Sequence, residues 1–378
     1  MIADLLLYVI LPCVLLGLAV AYAPMSIFDR YVLRKFSTLF LAAFSFEVAL
    51  ILTIRLSDRE LGNMFLDPNA SVMAAFKLFA LHAPARVMEV VPYAGILGAF
   101  LTMGSLLRAN EITAFRASGT NLLRLVTPIA IFTFACCVIA LVFTDRIVAP
   151  AAHAAAQMGQ TRKVESDQHI VYRESGGALC FIAQLNVATG SAYKLTFYEM
   201  SGGELRNEIY ARTAGWTDAS WELKGGWQRR YDTDGGSSLE AFTLLHRPLD
   251  TDPATLIAAA SKPEEMTFAE LREVIAFKRR AGFPVRREIV RFHHNIAYSF
   301  ALLVGVLLAV PLSLQFGRFA LAAGFPATML ISFVYWGLAI ATFEAMGENG
   351  RIPPSAAAWI GNVVFACVAA LLLRAVKR

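Results

Sequence analysis

The chain has 378 residues, of which 57% are hydrophobic and 17% charged, with a formal net charge of +5. A soluble fold of this length would carry more charge, and several apolar runs reach the roughly 20 residues that a helix needs to cross a bilayer. The surplus positive charge sits in small groups at the ends of those runs, with no basic stretch interleaved with aromatics, so a soluble globular protein and a nucleic-acid partner are both excluded.

The first run, residues 5–23, resembles a secretion signal in its apolar core and in Ala21-Tyr22-Ala23. Its leading segment has no Lys or Arg and does carry Asp4, so an uncleaved extra transmembrane helix over 1–26 is expected. Further spans are expected near 37–56, 87–107, 125–148, 295–316, 320–342 and 356–374, making transmembrane halves of 27–149 and 291–378. Lys and Arg in short connections set the orientation. One set holds Arg30, Arg34 and Lys35, then Arg108, Arg116 and Arg124, then Arg318, then Arg374, Lys377 and Arg378. In the other set Arg55, Arg59, Lys77, Arg86 and Arg351 are diluted by acids that include Asp58, Asp67, Glu344 and Glu348. The first set is therefore expected in the cytoplasm.

Two features mark the 37–56 span. Glu47 is near its middle, where an ionised carboxylate costs roughly 2.5–3.5 kcal/mol. It must face a protein or water-lined interior, be paired, or be protonated. Arg55 lies eight residues on, about 12 Å of helical rise away, too far to pair with it. A structural polar contact and a lipid-handling role both stand for Glu47. Arg55 and Arg59 fall at the outer end of the span. They could snorkel as anchors, or grip a lipid phosphate with the planar guanidinium fork. From the residues alone both readings stand at Arg55 and at Arg59, and snorkelling is the commoner case.

Between the second and third of these spans lies Arg108-Ala109-Asn110-Glu111-Ile112-Thr113-Ala114-Phe115-Arg116-Ala117-Ser118-Gly119. Asn110 is expected as an N-cap and Gly119 as the residue after the helix end. Ile112, Phe115, Ala114 and Ala117 share part of one face, with Glu111 and Arg116 charged beside it. The segment reads either as an ordinary interfacial loop or as a docking helix whose apolar residues enter a partner's groove. Pattern alone leaves both open.

The polar insert is expected to hold a β domain over 150–265 and a connecting helix over 266–290. Tyr193–Tyr198 alternates with period two, and Gly202-Gly203 then turns the chain into a strand over Glu204–Arg212. Gly225-Gly226, between Trp221–Lys224 and Trp227–Tyr231, is expected to turn a hairpin. Strands at this spacing suggest a sandwich, jelly roll or related antiparallel sheet. Thr267 and Glu270 form a capping box, and Gly282 ends that helix.

No catalytic centre is expected. The chain has no G-x-x-x-x-G-K-[ST], no HExxH and no GxSxG. His293-His294 are adjacent, point apart on a helix, and read as interfacial residues rather than metal ligands. Asp232, Asp234, Asp250 and Asp252 lack calcium-loop spacing. The five cysteines, Cys13, Cys136, Cys137, Cys180 and Cys367, include no CxxC pair and read as packing residues.

The order of parts resembles the LptF/LptG family, the permeases of bacterial lipopolysaccharide export. The likeness covers about 27–378 and is carried by Phe28-Asp29-Arg30-Tyr31, by Leu107–Gly119 with its E-x-T-A-x-R-A-x-G core, by Gly215-Trp216 and Trp221-Glu222-Leu223, by Glu270-Leu271-Arg272, and by Ile352-Pro353-Pro354. Asp29-Arg30-Tyr31, Arg55 and Ile352-Pro353-Pro354 lean toward the LptG type, which is similar in carrying basic residues at the outer end of this span; the resemblance thus implies the phosphate role for Arg55 and leaves Arg59 open. The resemblance implies an α-helical polytopic protein of the bacterial inner membrane with six spans and an inserted periplasmic β-jellyroll-like domain. It implies a second permease of the same kind, a separate LptB-like ATPase pair that binds the ATP and Mg, periplasmic LptC/LptA-like β-jellyroll proteins, and lipopolysaccharide as cargo. Residues 108–119 would then be the coupling helix, with Glu111, Ile112, Phe115, Arg116 and Gly119 at the ATPase. The extra helix over 1–26 departs from the family pattern. Two further readings stand beside it: a mechanotransmitting permease that moves no lipid, and a polytopic lipid-modifying enzyme.

Overall fold

The structure is a computed structural model that describes residues 26–56, 72–119, 123–162, 170–173, 178–186, 191–201, 204–217, 220–231, 236–247, 263–280 and 284–377. The helix expected over 5–23 lies outside the described residues. The chain divides into two compact units. One runs to Ala155 and resumes at Ile289; the other is Ala156–Glu288.

Among the described residues, five helical stretches are long and apolar enough to cross a membrane. Helix α1 (Ile27–Leu56) starts ten residues ahead of the expected span. Its start is fixed by a reciprocal cap: Ser26 Oγ donates to Asp29 Oδ2 at 2.6 Å and accepts from the Asp29 N–H at 3.2 Å. Helix α2 (Val72–Arg108) also starts early and continues through Pro84 and Pro92. A Cβ on Gly98 would stand 2.9 Å from the Phe40 Cα. Only glycine allows the α1 and α2 backbones so close, the small-residue contact typical of membrane helices. The short α3 (Glu111–Ala117) follows. Then α4 (Leu123–Phe143) passes through a π-helical turn at Thr144–Val148 into α5 (Ala149–Arg162).

The fourth membrane-length stretch, Arg286–Glu348, has 63 residues. As one straight helix it would rise about 95 Å, three times a bilayer core. Its packing shows two antiparallel spans instead. In α7 (Arg286–Phe316), Tyr298 reaches Glu89, Leu302 and Val306 meet Gly95, and Phe316 meets Phe100, so α7 runs parallel to α2. In α8 (Ala320–Tyr335) the order reverses: Leu321 meets Gly104 and Gly324 meets Phe100. The reversal is a 3-10 turn at Gly317–Phe319, where Gly317 takes a φ of +55°. A π-helix at Trp336–Glu344 continues α8 into α9 (Ala345–Glu348), and α10 (Pro354–Lys377) closes the bundle. All six spans expected between 37 and 374 thus have helices. Phe36, Phe100, Met103, Leu106, Leu125 and Ile129 are fully buried among them.

In the second unit, β1 (Ile170–Arg173), β2 (Leu179–Asn186), β3 (Ser191–Ser201), β4 (Glu204–Thr217), β5 (Ser220–Tyr231) and β6 (Ser237–Arg247) form one antiparallel sheet in sequence order. Alternate residues fill its buried face: Cys180 with Ile182, Leu195 with Phe197, Ile209 with Ala211, and Trp221 with Leu223. Ser201 pairs with Glu204 at the end of the β3–β4 ladder, and the turn expected at Gly202-Gly203 lies outside the described residues. The hairpin expected at Gly225-Gly226 is absent. The strand continues through both glycines, keeping its register with β4 and β6. A two-residue I′ turn needs positive φ at both positions, and only Gly225 has it, at +65°. Gly226 answers a different need: a Cβ there would collide with the Tyr210 carbonyl. Helix α6 (Phe268–Arg280) carries the expected capping box, with the Thr267 N–H donating to Glu270 Oε2 at 2.8 Å and the Glu270 N–H donating to Thr267 Oγ1 at 3.3 Å. Its Phe277 packs on the sheet core.

Candidate functional site

Helix α3 has seven residues, too few to hold a helix in water unaided, so its pose is set by what it packs against. Ile112 is 3% exposed and joins the apolar core of the bundle. The other anchors come from the first turns of α1. Phe115 stacks on Phe28 with centroids 4.3 Å apart and planes 11° from parallel. Glu111 Oε1 accepts from the Tyr31 hydroxyl at 3.0 Å and from Lys35 Nζ at 3.5 Å. Lys35 also donates to the Tyr31 hydroxyl at 3.2 Å, which thus relays one bond to the next. Phe28, Tyr31 and Lys35 are spaced three and four residues apart, the spacing that puts side chains on one helix face. Beside them Arg124 Nε stands 3.9 Å from Asp29 Oδ1. The Phe28–Tyr31 motif and the 107–119 motif, far apart in sequence, meet as one clasp.

The ends of α3 divide. Gly119 takes the left-handed conformation expected after a helix end, at φ +72°, and its N–H donates to the Arg116 carbonyl at 3.0 Å. Asn110 makes no side-chain cap; it is itself left-handed, at φ 58°. The left-handed turn at Asn110 has a physical reason. Helix α2 ends at Arg108, and two residues must reverse the chain into α3. The Asn110 N–H closes on the Leu107 carbonyl at 3.1 Å, and asparagine tolerates the αL conformation that this demands. Thr113, Ala114, Arg116 and Ala117 are exposed, while Ile112 faces inward. Ile112, one of the residues expected to meet a partner, is buried against its own chain.

Arg55 sits in the last turn of α1, the end remote from the clasp; Arg59 lies outside the described residues. Glu47 is half-buried, and its Oε2 has no hydrogen-bond partner among the described residues. It lies within electrostatic range of Tyr93. The structure does not bring Glu47 and Arg55 together.

A second polar cluster ties α2, α7, the π-helix and α10 together. His294 Nδ1 pairs with Glu344 Oε1, and the His294 ring lies over Tyr298 at 5.5 Å. The Tyr298 hydroxyl donates to the Glu89 carbonyl at 2.8 Å, and the Glu89 carboxylate pairs with Arg86. The Tyr335 hydroxyl donates to Asn362 Oδ1 at 2.9 Å, and Asn362 Nδ2 donates to the Ala297 carbonyl at 2.7 Å. The sequence reading missed this cluster, taking His294 as interfacial and Glu344 as a loop acid. The Thr342 hydroxyl donates to the Gly337 carbonyl, five residues back. That π spacing changes which face Glu344 presents, and no periodicity in the sequence announces it.

Among the described residues, no group of three or more His, Cys, Asp or Glu is placed to hold a metal ion. Cys137 and Cys180 are buried packing residues, as expected. Over residues 30–375 the chain matches the family described as lipopolysaccharide export system permease LptF/LptG. No curated protein matches it.

Proposed function

The chain belongs to the LptF/LptG family of lipopolysaccharide export permeases, and from that premise we propose how this subunit works. It lies in the bacterial inner membrane with the clasp in the cytoplasm and the sheet in the periplasm, and it faces a second permease of the same kind. A separate ATPase pair carries the ATP and Mg and docks on α3. Lipopolysaccharide enters sideways from the outer leaflet. Its acyl chains supply most of the attraction, at about 0.8 kcal/mol per buried CH₂, and Arg55 orients a phosphate. Motion delivered through α3 then closes the space between the permeases, and the lipid passes to the sheet and on to LptC/LptA-like proteins. Asp29-Arg30-Tyr31, Arg55 and Ile352-Pro353-Pro354 put the reading on the LptG side.

The observation that carries this reading is the fixed pose of α3. A seven-residue helix anchored by Ile112, Phe115 and Glu111 can pass on a push; a loose loop would dissipate it. The test is affinity purification from native membranes in mild detergent, wild type beside Glu111→Lys. Wild type is expected to bring an ATPase and a second permease, and the charge reversal to lose the ATPase alone. A wild type that arrives alone, or a Glu111→Lys chain that keeps its ATPase, overturns the docking role of α3.

A further inference from the structure

We infer that Glu111 is a bridging residue, one carboxylate oxygen binding its own helix α1 and the other left for the partner, so that Tyr31 and Lys35 are positioning residues of the coupling step. The inference rests on the reading of α3 as the ATPase dock and goes beyond it. Both bonds to Glu111 end on Oε1, from Tyr31 and from Lys35. Oε2 has no partner among the described residues. The side chains of Lys35 and Glu111 are 24% and 32% exposed, so the carboxylate is reachable while held. A carboxylate has about four lone-pair sites and can accept from two sides at once. A cation of the partner can therefore take Oε2 without displacing Lys35.

The geometry separates two jobs that one residue would otherwise blur. Ile112 fixes α3 to the bundle core, whereas Glu111 and Phe115 fix it to α1. If α3 were tied only through Ile112, a displaced α3 would press on the core and leave α1 behind. With Tyr31 and Lys35 in place, docking and the pull on α1 act through the same carboxyl group. Cutting the inner half of the bridge should thus leave docking intact and break transmission. Phe28 adds a face-to-face contact that resists rotation of α3 about the bridge.

The experiment uses the full chain with its second permease and ATPase in proteoliposomes containing lipopolysaccharide. Two quantities are read for wild type, Lys35→Ala, Tyr31→Phe and Lys35→Arg: the ATPase retained on purification, and the stimulation of ATP hydrolysis by lipopolysaccharide. Lys35→Ala is expected to retain the ATPase at the wild-type level while the stimulation falls by about fivefold or more, the lower end of common coupling energies. Lys35→Arg restores it, because the charge returns. Tyr31→Phe, which removes one oxygen and keeps the ring, reports the same split should Lys35→Ala fail to accumulate. Wild-type values for both quantities in Lys35→Ala and Tyr31→Phe overturn the bridge. So does loss of the ATPase in either, since Tyr31 and Lys35 would then only shape the dock. A wild-type complex without an ATPase, by contrast, sinks the docking reading itself and is visible before any variant is compared.

Discussion

The membrane unit holds two polar clusters, and they are made differently. In the clasp, Lys35 and Glu111 keep about a quarter to a third of their side-chain surface in contact with solvent. In the cluster at the other end of the bundle, His294 and Glu344 keep 14% and 15%, and Asn362 only 4%. An exposed ion pair is weak because water and salt already satisfy both partners. A desolvated pair is asymmetric: intact it adds little net stability, but with one partner removed the other is stranded. The clasp can therefore share its groups with an incoming protein at small expense, and the inner cluster cannot. Within the same bundle, one end suits partner exchange and the other holds four helices in register.

Three substitutions test that contrast, in descending size of effect. Glu344→Ala leaves the His294 ring without its hydrogen-bond partner in a nearly dry site and is expected to lower stability by about 2–3 kcal/mol, read as the thermal unfolding midpoint in detergent. A loss under about 1 kcal/mol would put this pair in the class of surface ion pairs and erase the contrast. Asn362→Ala removes the acceptor of Tyr335 and the donor to the Ala297 carbonyl together. About 1–2 kcal/mol is expected, since polar contacts between membrane helices are modest even when buried; the same melt measures it. Lys35→Ala is expected to shift the midpoint least, by less than about 1 kcal/mol. A loss as large as that of Glu344→Ala would show the clasp to be part of the permanent frame.

Much of the architecture was legible in the sequence because it is written locally. Apolar length announced the spans, period-two alternation announced β3, and Thr267 with Glu270 announced the start of α6. What failed was local chemistry with two uses. Asn110 has the side chain of an N-cap and also tolerates αL, and only the closeness of α2 to α3 selects the second. Gly225-Gly226 has the composition of a turn but serves a strand where a carbonyl comes close. Both motifs of the clasp could be read, yet not their meeting. Nothing in the spacing of Phe28, Tyr31 and Lys35 points to residues some eighty positions away. The His294–Glu344 pair was hidden twice over, by a separation of fifty residues and by a π-helix that shifts the phase of Glu344.

The contact between Phe40 and Gly98 has a mechanical consequence. Helix α1 is unbroken from Ile27 to Leu56, and at Phe40 its backbone lies close enough to α2 that a Cβ on Gly98 would stand 2.9 Å from the Phe40 Cα. Counted along the axis, Phe28 is about 18 Å to one side of Phe40 and Arg55 about 22 Å to the other. A rigid rod pressed against a neighbour near its middle behaves as a lever, and here the fulcrum divides it into nearly equal arms. A tilt that carried Phe28 sideways by about 2 Å would carry Arg55 about 2.5 Å in the opposite sense. Replacing Gly98 by a residue with a side chain would move the fulcrum away from the backbone and change both arms at once.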